Sequence, residues 1–330
     1  MDFFTHFLVP FIILFALKSK NKLEGAFGGI APDFDTIFVA WIGFLVPFLF
    51  VFSHRGITHS FVFAAVASTL FLYIISRKQI NSFIGKIIRR DISVEFTLKT
   101  VGIAYFGALT HLFLDFLTSR GIPLFYPFTL ERFSAEIYYY IDITTAVIAL
   151  IVLVVLYLTS DEKYKTLKHK RVWGPENLRF SREVAMAIFM IILISFGGIR
   201  AYEKSNALAE NPVSENFTYS AAYPTMDMFT WTIVESNAKN STYYSFSYNT
   251  INKEKSNEKT VQSLTVNGGS VQSAQKAINK ADNLPEVQNF RWDAYYQCIN
   301  ASYDGNVWKL TYFDVIDTGY HNNNINVFIR

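Results

Sequence analysis

The segment that most constrains this chain is Ile137 to Leu158, IYYYIDITTAVIALIVLVVLYL, in which Asp142 is the sole charged residue among 22. As a helix it is long enough to span a bilayer core of about 30 Å. Val184–Ile199 is nearly as apolar, and Ser60–Ser76, Thr100–Leu117 and Phe3–Leu17 are further candidate spans. Phe3–Leu17 has no positive n-region and no A-x-A cleavage site, and it carries His6, so it reads as a retained helix rather than a signal peptide. The chain as a whole is 51% hydrophobic and only 17% charged, where soluble domains carry about a quarter. That balance excludes a disordered chain and an ordinary cytosolic enzyme. The single cysteine, Cys298, excludes an internal disulfide framework and any CxxC zinc site.

Charge divides the chain near residue 200. Net charge is +6 before it and −3 after it, although the total is only +3. Of the 20 basic residues in the first part, 16 fall in three loops: Lys18–Lys22, Arg77–Lys99 and Lys163–Arg182. The positive-inside rule places those loops in the cytoplasm, and the remaining loops and everything after Arg200 outside. The tail carries N-x-S/T sequons at Asn216, Asn240 and Asn300, which suit an external segment. It reads as β-rich, with strands expected at Trp231 (WTIV), Tyr243 (YYSFSY), Val261 (VQSLTV) and Val307 (VWKLTYFDVI), and a helix over Val271–Ala281. The expected fold is therefore an α-helical integral membrane domain over 1–200, with about six spans plus a re-entrant or interfacial helix, followed by a small soluble β-rich α+β domain over 201–330.

Ionisable residues in or beside spans are expensive and mark functional sites by default. Here they gather in a few motifs: His6, the pair Asp33 and Asp35 in APDFD, His54 and His59 in SHRGITHS, and His111 with Asp115 in HLFLD. His111 and Asp115 are four apart, so on a helix both project from one face toward one ion. Gly56 permits a sharp turn that brings His54 and His59 together, and Thr58 can cap the next helix with His59 in its first turn. All seven residues reach one membrane face if a weak second span covers Leu23–Ile30 and if Thr36–Phe52, broken by Gly43 and Pro47, dips in and out. The charge rule makes that face external. His169 and His321 carry no assigned role. For each residue alone the bland reading competes: His6 as incidental, the Asp pair as a cap, and the whole polar set as a network that only joins helices. Burying four ionisable groups unpaired would cost several kcal/mol, which favours a metal site. Imidazole and carboxylate without thiolate suit Zn²⁺, with Mn²⁺ or Fe²⁺ as the harder options.

These motifs together resemble the YdjM-like family of membrane-bound metal-dependent hydrolases. The resemblance rests on THFLVP around His6, GGIAPDFD at Gly28–Asp35, HRGITHS at His54–Ser60 and HLFLDFLTSRGIPLFYPF at His111–Phe128, and covers about residues 1–200. Ala31 stands where the family usually has Leu or Ile. In the tail, YPTMDMFTW at Tyr223 and LTYFDVID at Leu310 are loosely similar to a soluble domain that some members carry. The resemblance implies hydrolysis at a divalent metal. The His/Asp inventory is also similar to that of zinc-dependent phospholipases C, which implies phosphoester cleavage by analogy.

The expected activity is hydrolysis of a lipid or lipid-linked phosphoester by metal-activated water, in a multi-pass cell-membrane protein. Expected ligands are His54, His59, His111 and Asp115, then Asp33 and Asp35, then His6. Seven exceed the three protein ligands of a catalytic zinc, so either two ions bind or a spare aspartate, Asp33 or Asp35, serves as general base. Arg55, and less so Arg120, is expected to hold an anionic substrate group, with Thr58, Ser60 and Thr118 orienting ligands. Membrane lipids are the expected partners, and no nucleic acid. The alternative is a non-enzymatic membrane protein with a structural metal and a partner-binding external domain. A transporter ranks third, because only Asp142 and His111 would sit deep in spans.

Overall fold

The computed structural model describes residues 1–38, 45–89, 92–159, 175–239, 241–316 and 324–330. The expected basic loop residues Lys163 to Arg171, His169, Arg90, Gly43, Asn240 and His321 lie outside the described residues. Two compact units are present. The first comprises Met1–Phe34, Thr58–Asp115 and Ile141–Ile199, and the second Asp35–Ile57, Phe116–Tyr140 and Arg200–Arg330.

The first unit is helical. Helix α1 (Phe3–Ala16) begins where Asp2 caps it, accepting the Thr5 amide at 2.9 Å and the Thr5 hydroxyl at 2.6 Å. Helix α2 (Lys22–Ile30) follows after a short turn, then α3 (Phe61–Ile75), α4 (Lys78–Ile88), α5 (Leu98–Phe116), α6 (Ile143–Thr159) and α7 (Pro175–Glu210). Glycine lets three of these backbones meet. A Cβ on Gly107 of α5 would stand 2.0 Å from the Gly25 carbonyl oxygen of α2, and one on Gly28 would stand 2.0 Å from the Ala104 oxygen. A Cβ on Gly29 would stand 2.3 Å from the His6 oxygen of α1. Around this crossing, Leu72, Ile75, Val94 and Ala104 form an apolar core.

Among the described residues one helical stretch, Arg182–Glu210, is long and apolar enough to cross a membrane alone, with mean hydropathy 2.2 over its window. Six spans are not borne out at this level. Helix α2 has nine residues, about 14 Å, and cannot cross a core of about 30 Å by itself. Helices α3 and α4 qualify only as a pair bent by 79°. The apolar run from Ile137 becomes helical only at Ile143, because Asp142 accepts the Thr145 amide at 2.9 Å and so caps α6. Asp142 is thus a capping residue at a helix start, which removes the main support for a transporter. The expected dip over Thr36–Phe52 is described at its ends as a helical turn at Asp35–Phe38 and a 3-10 helix at Pro47–Phe52.

The second unit contains two four-stranded sheets. Strands β1 (Tyr219–Pro224), β2 (Thr230–Asn237), β3 (Thr242–Asn249) and β4 (Lys255–Gln262) form an antiparallel meander, with Ile233 opposite Phe246. Its buried face gathers Trp231, Ile233, Phe246 and Tyr248 around Ala207 from the end of α7. The second sheet holds β5 (Leu264–Asn267), β6 (Gln297–Tyr303), β7 (Trp308–Asp314) and β8 (Asn324–Ile329). Strands β5 and β6 run parallel, joined through α8 (Val271–Ala281) and α9 (Pro285–Asp293), and the other pairs are antiparallel. Helix α8 lays Ala274, Ala277, Ile278 and Ala281 against Ala301, Leu310 and Tyr312. The expected helix Val271–Ala281 is present residue for residue. VQSLTV, read as one strand, is divided at Ser263 between β4 and β5.

Candidate metal centre

Four side chains of the first unit converge. Asp33 comes from the 3-10 turn Pro32–Phe34 after α2, His59 from the turn Ile57–His59 before α3, and His111 and Asp115 from successive turns of α5. One ligand atom from each, His59 Nε2, His111 Nε2, Asp33 Oδ1 and Asp115 Oδ2, forms a set lying within 4.8 Å of one another. The two imidazole nitrogens are 3.1 Å apart, and each lies 3.5 Å from both carboxylate oxygens. A tetrahedron with bonds of about 2.0–2.1 Å has edges of about 3.3–3.4 Å, so the spacing fits a first-row divalent ion. Two carboxylates also balance a dication.

Hydrogen bonds aim the imidazoles inward. His111 Nδ1 lies 2.7 Å from the Gly29 carbonyl oxygen, which only accepts, so Nδ1–H donates. Nε2 is thereby turned toward the cluster, the arrangement that metal-bound histidines use. His59 Nδ1 lies 3.0 Å from the Thr58 hydroxyl, leaving its Nε2 likewise turned inward. Thr58 thus holds His59, and the cap expected of Thr58 is made instead by Ser60, which accepts the Phe63 amide at 3.3 Å at the start of α3. His59 sits before the helix rather than in its first turn.

His6 stacks on His111 with ring centroids 3.6 Å apart, and its Nε2 is 3.3 Å from Asp115 Oδ1. Both of its ring nitrogens are buried without a hydrogen bond. Asp115 thus serves two sides: Oδ2 faces His59 and His111, and Oδ1 faces His6 and the Met1 amino nitrogen at 2.6 Å. Asp33 is the outermost of the four, with 15% of its side chain exposed against 0–1% for the others.

The remaining expected site residues belong to the second unit. His54 Nδ1 is 2.8 Å from Asp35 Oδ1, an imidazole–carboxylate pair. Arg55 is buried, donates from Nη1 to Thr118 Oγ1 at 2.9 Å and from Nη2 to the Tyr140 carbonyl at 3.3 Å, and stacks on the Tyr140 ring at 3.9 Å. The turn expected of Gly56 is made by Arg55 itself, whose φ is +59°. Gly56 is needed for space instead, since a Cβ there would meet the Val51 carbonyl oxygen at 2.0 Å. Arg120 has φ +77° and is likewise followed by a glycine. The residue that sequence reading missed is Gly29, whose carbonyl sets the His111 tautomer. The GG pair before APDFD was its one visible sign.

A family model described as YdjM inner membrane protein matches residues 1–204. No match was found among curated proteins or among solved structures.

Proposed function

Since this chain belongs to the YdjM inner membrane protein family, we propose that it is a membrane-bound metal-dependent hydrolase whose ion is held by Asp33, His59, His111 and Asp115. The observation that carries the reading is the near-tetrahedral spacing of two imidazole nitrogens and two carboxylate oxygens, with His111 Nδ1 donating to the Gly29 carbonyl. Zinc suits this donor set best, with manganese and iron as the harder options. A divalent ion there would supply Lewis acidity, acidifying a water to a pKa of about 7 and drawing charge from a phosphoryl oxygen.

The chain's own residues do the rest. Asp33, the most exposed of the four, is the carboxylate that would give up its place to an attacking water and take a proton from it. Asp35 holds the His54 ring through Nδ1, and this imidazole–carboxylate pair is proposed to exchange a proton with a leaving group. Arg55 is proposed to receive the anionic substrate group. The substrate class is a phosphoester of a lipid or lipid-linked molecule, because the family is one of membrane proteins. In this reading the helical part is multi-pass, the basic loops face the cytoplasm, and residues 201–330 lie outside.

A second reading, a structural metal in a non-enzymatic membrane protein, draws on the same four-ligand count, since structural zinc closes with four protein ligands. Metal analysis of the purified protein, followed by assay of head-group or phosphate release from mixed lipids, separates the two. His59→Ala and Asp115→Ala are expected to lose bound metal and to lower hydrolysis by more than about 100-fold while keeping the fold. Wild-type protein that holds metal but releases nothing, and variants that unfold, would establish the structural reading. Unchanged metal content in both variants would overturn the site itself.

A further inference from the structure

One end of the helical first unit carries an amphipathic helix with an uncovered face. Helix α4 (Lys78–Ile88) has 11 residues, about 16 Å, and none of them is fully buried. It is bent by 79° from α3, so the two do not continue as one straight rod. Its sequence, KQINSFIGKII, is two-sided. Ile80, Phe83 and Ile87 recur at helical spacing on one side and are exposed. Ile84, beside them, rests on the core of Leu72, Ile75, Val94 and Ala104 and so ties the helix down. Lys78 and Lys86 stand on the other side, with Arg89 at the C-cap, and all three are exposed.

The basic side opens on a groove of about 740 Å³ between α4 and the segment that follows it. Lys78, Lys86 and Arg89 line this groove with the polar side chains of Ser76, Asn81 and Ser82, and no carboxylate lines it. Among the described residues none of the three cations has an ion-pair partner. Residues 77–99 hold six basic residues against two acidic ones, Glu95 and Asp91, of which Asp91 lies outside the described residues. Aromatic rings gather at the same end. Tyr73 stands edge-on to Phe96 with ring centroids 5.3 Å apart, Arg77 lies 3.8 Å over the Tyr73 ring, and the Tyr157 hydroxyl donates to the Ile88 carbonyl at 3.0 Å. Aromatic rings and long cations at the edge of an apolar bundle mark the level of lipid headgroups. A short helix with one apolar and one basic side lies in that plane, with its apolar residues among acyl chains and its cations on phosphates. Three cations without a carboxylate select an anionic headgroup over a zwitterionic one. A second copy of the chain on the same stripe would instead crowd like charges together.

We propose that α4 lies in the membrane–water boundary, with Ile80, Phe83 and Ile87 among the acyl chains, and that its basic groove holds the phosphate headgroup of an anionic phospholipid. The inference rests on the membrane setting of the family and not on the metal centre. It is tested by native mass spectrometry of the purified full-length protein in detergent micelles carrying phosphatidylglycerol or phosphatidylcholine. Micelles leave both ends of the protein accessible, so the result is independent of the orientation proposed above. Wild-type protein is expected to retain phosphatidylglycerol in preference. The combined variant Lys78→Gln, Lys86→Gln, Arg89→Gln should weaken that retention by about ten-fold or more, at about five-fold per cation. Lys78→Arg with Lys86→Arg, which keeps the charge, should preserve it, and so should Lys309→Gln, at an exposed lysine of β7. In bilayers, a spin label on Phe83→Cys should meet dissolved oxygen more than a water-soluble nickel chelate, and one on Ser82→Cys the reverse; the native Cys298 is buried. Equal retention of the two lipids, an unchanged combined variant, equal loss in Lys309→Gln, or a Phe83 label reached by the chelate would overturn the proposal. Spin–spin broadening between Phe83 labels would seat a second copy on the stripe and overturn it as well.

Discussion

At the scale of single residues, the centre depends as much on absent side chains as on ligands. Gly107 and Gly28 let α5 press on α2, and that contact puts the Gly29 carbonyl within 2.7 Å of His111 Nδ1. Gly107→Ala would drive a methyl into the Gly25 carbonyl, so we expect a loss of about 1–3 kcal/mol and reduced metal content together, measurable by thermal unfolding and metal analysis. A stability loss with full metal content would separate the helix crossing from the site. The ligand residues themselves were legible in the sequence because ionisable groups are rare in so apolar a chain. The glycine contacts were not, since no local pattern reports which backbone a glycine will meet.

Glu136 adds a second residue-scale expectation. Burial raises its carboxyl above the unfolded value, only partly offset by the hydroxyls of Tyr295 and Ser134. Folding therefore favours the protonated acid. Its contribution to stability is full below the unfolded pKa of about 4.3 and is lost as pH rises through the raised folded value. Glu136→Gln cannot ionise and still offers an oxygen to Tyr295. The variant's thermal midpoint should rise relative to wild type between pH 4 and 8; a constant difference across that range would refute the assignment.

At the scale of elements, helical periodicity carries the argument. His111 and Asp115 meet one centre because four residues turn α5 by about 400°, only about 40° past one full revolution. Exchanging Leu114 and Asp115 keeps composition and helix propensity but moves the carboxylate by about 100° around the axis. We expect that swap to abolish metal binding while leaving helical content unchanged by circular dichroism. Retained metal would mean that Asp115 is not a ligand. Strand positions at Trp231, Tyr243 and Trp308 were legible from alternation, and α8 from its alanine stripe. Strands β1, β6 and β8 were not, because Tyr219–Pro224, Gln297–Tyr303 and Asn324–Ile329 mix small and polar residues that acquire a buried face only beside their partners. Helix starts were misplaced where a cap overrides hydropathy, as Asp142 does for α6.

At the scale of the whole molecule, hydropathy and charge describe the chain differently from packing. The +6 and −3 parts meet near residue 200, where the chain passes from Ile199 in the first unit to Arg200 in the second. The second unit also takes in Asp35–Ile57 and Phe116–Tyr140, which interrupt the first part of the chain. Composition cannot reveal this, because segments far apart in sequence are joined only by contacts such as Arg200 donating to the Ile137 carbonyl at 2.7 Å. The proposed orientation in the membrane, by contrast, rests on charge counts alone. With 16 of the first 20 basic residues in three loops, the energetic bias for keeping those loops on the cytoplasmic side is strong. Reporter fusions at Lys168 and after Arg330 are therefore expected on opposite faces, the first cytoplasmic and the second external. In that proposal the apolar stretch of α7, Arg182–Glu210, long and apolar enough to cross a membrane, would carry the chain across between them. Both reporters on one side would remove that crossing and, with it, the external placement of the sheets.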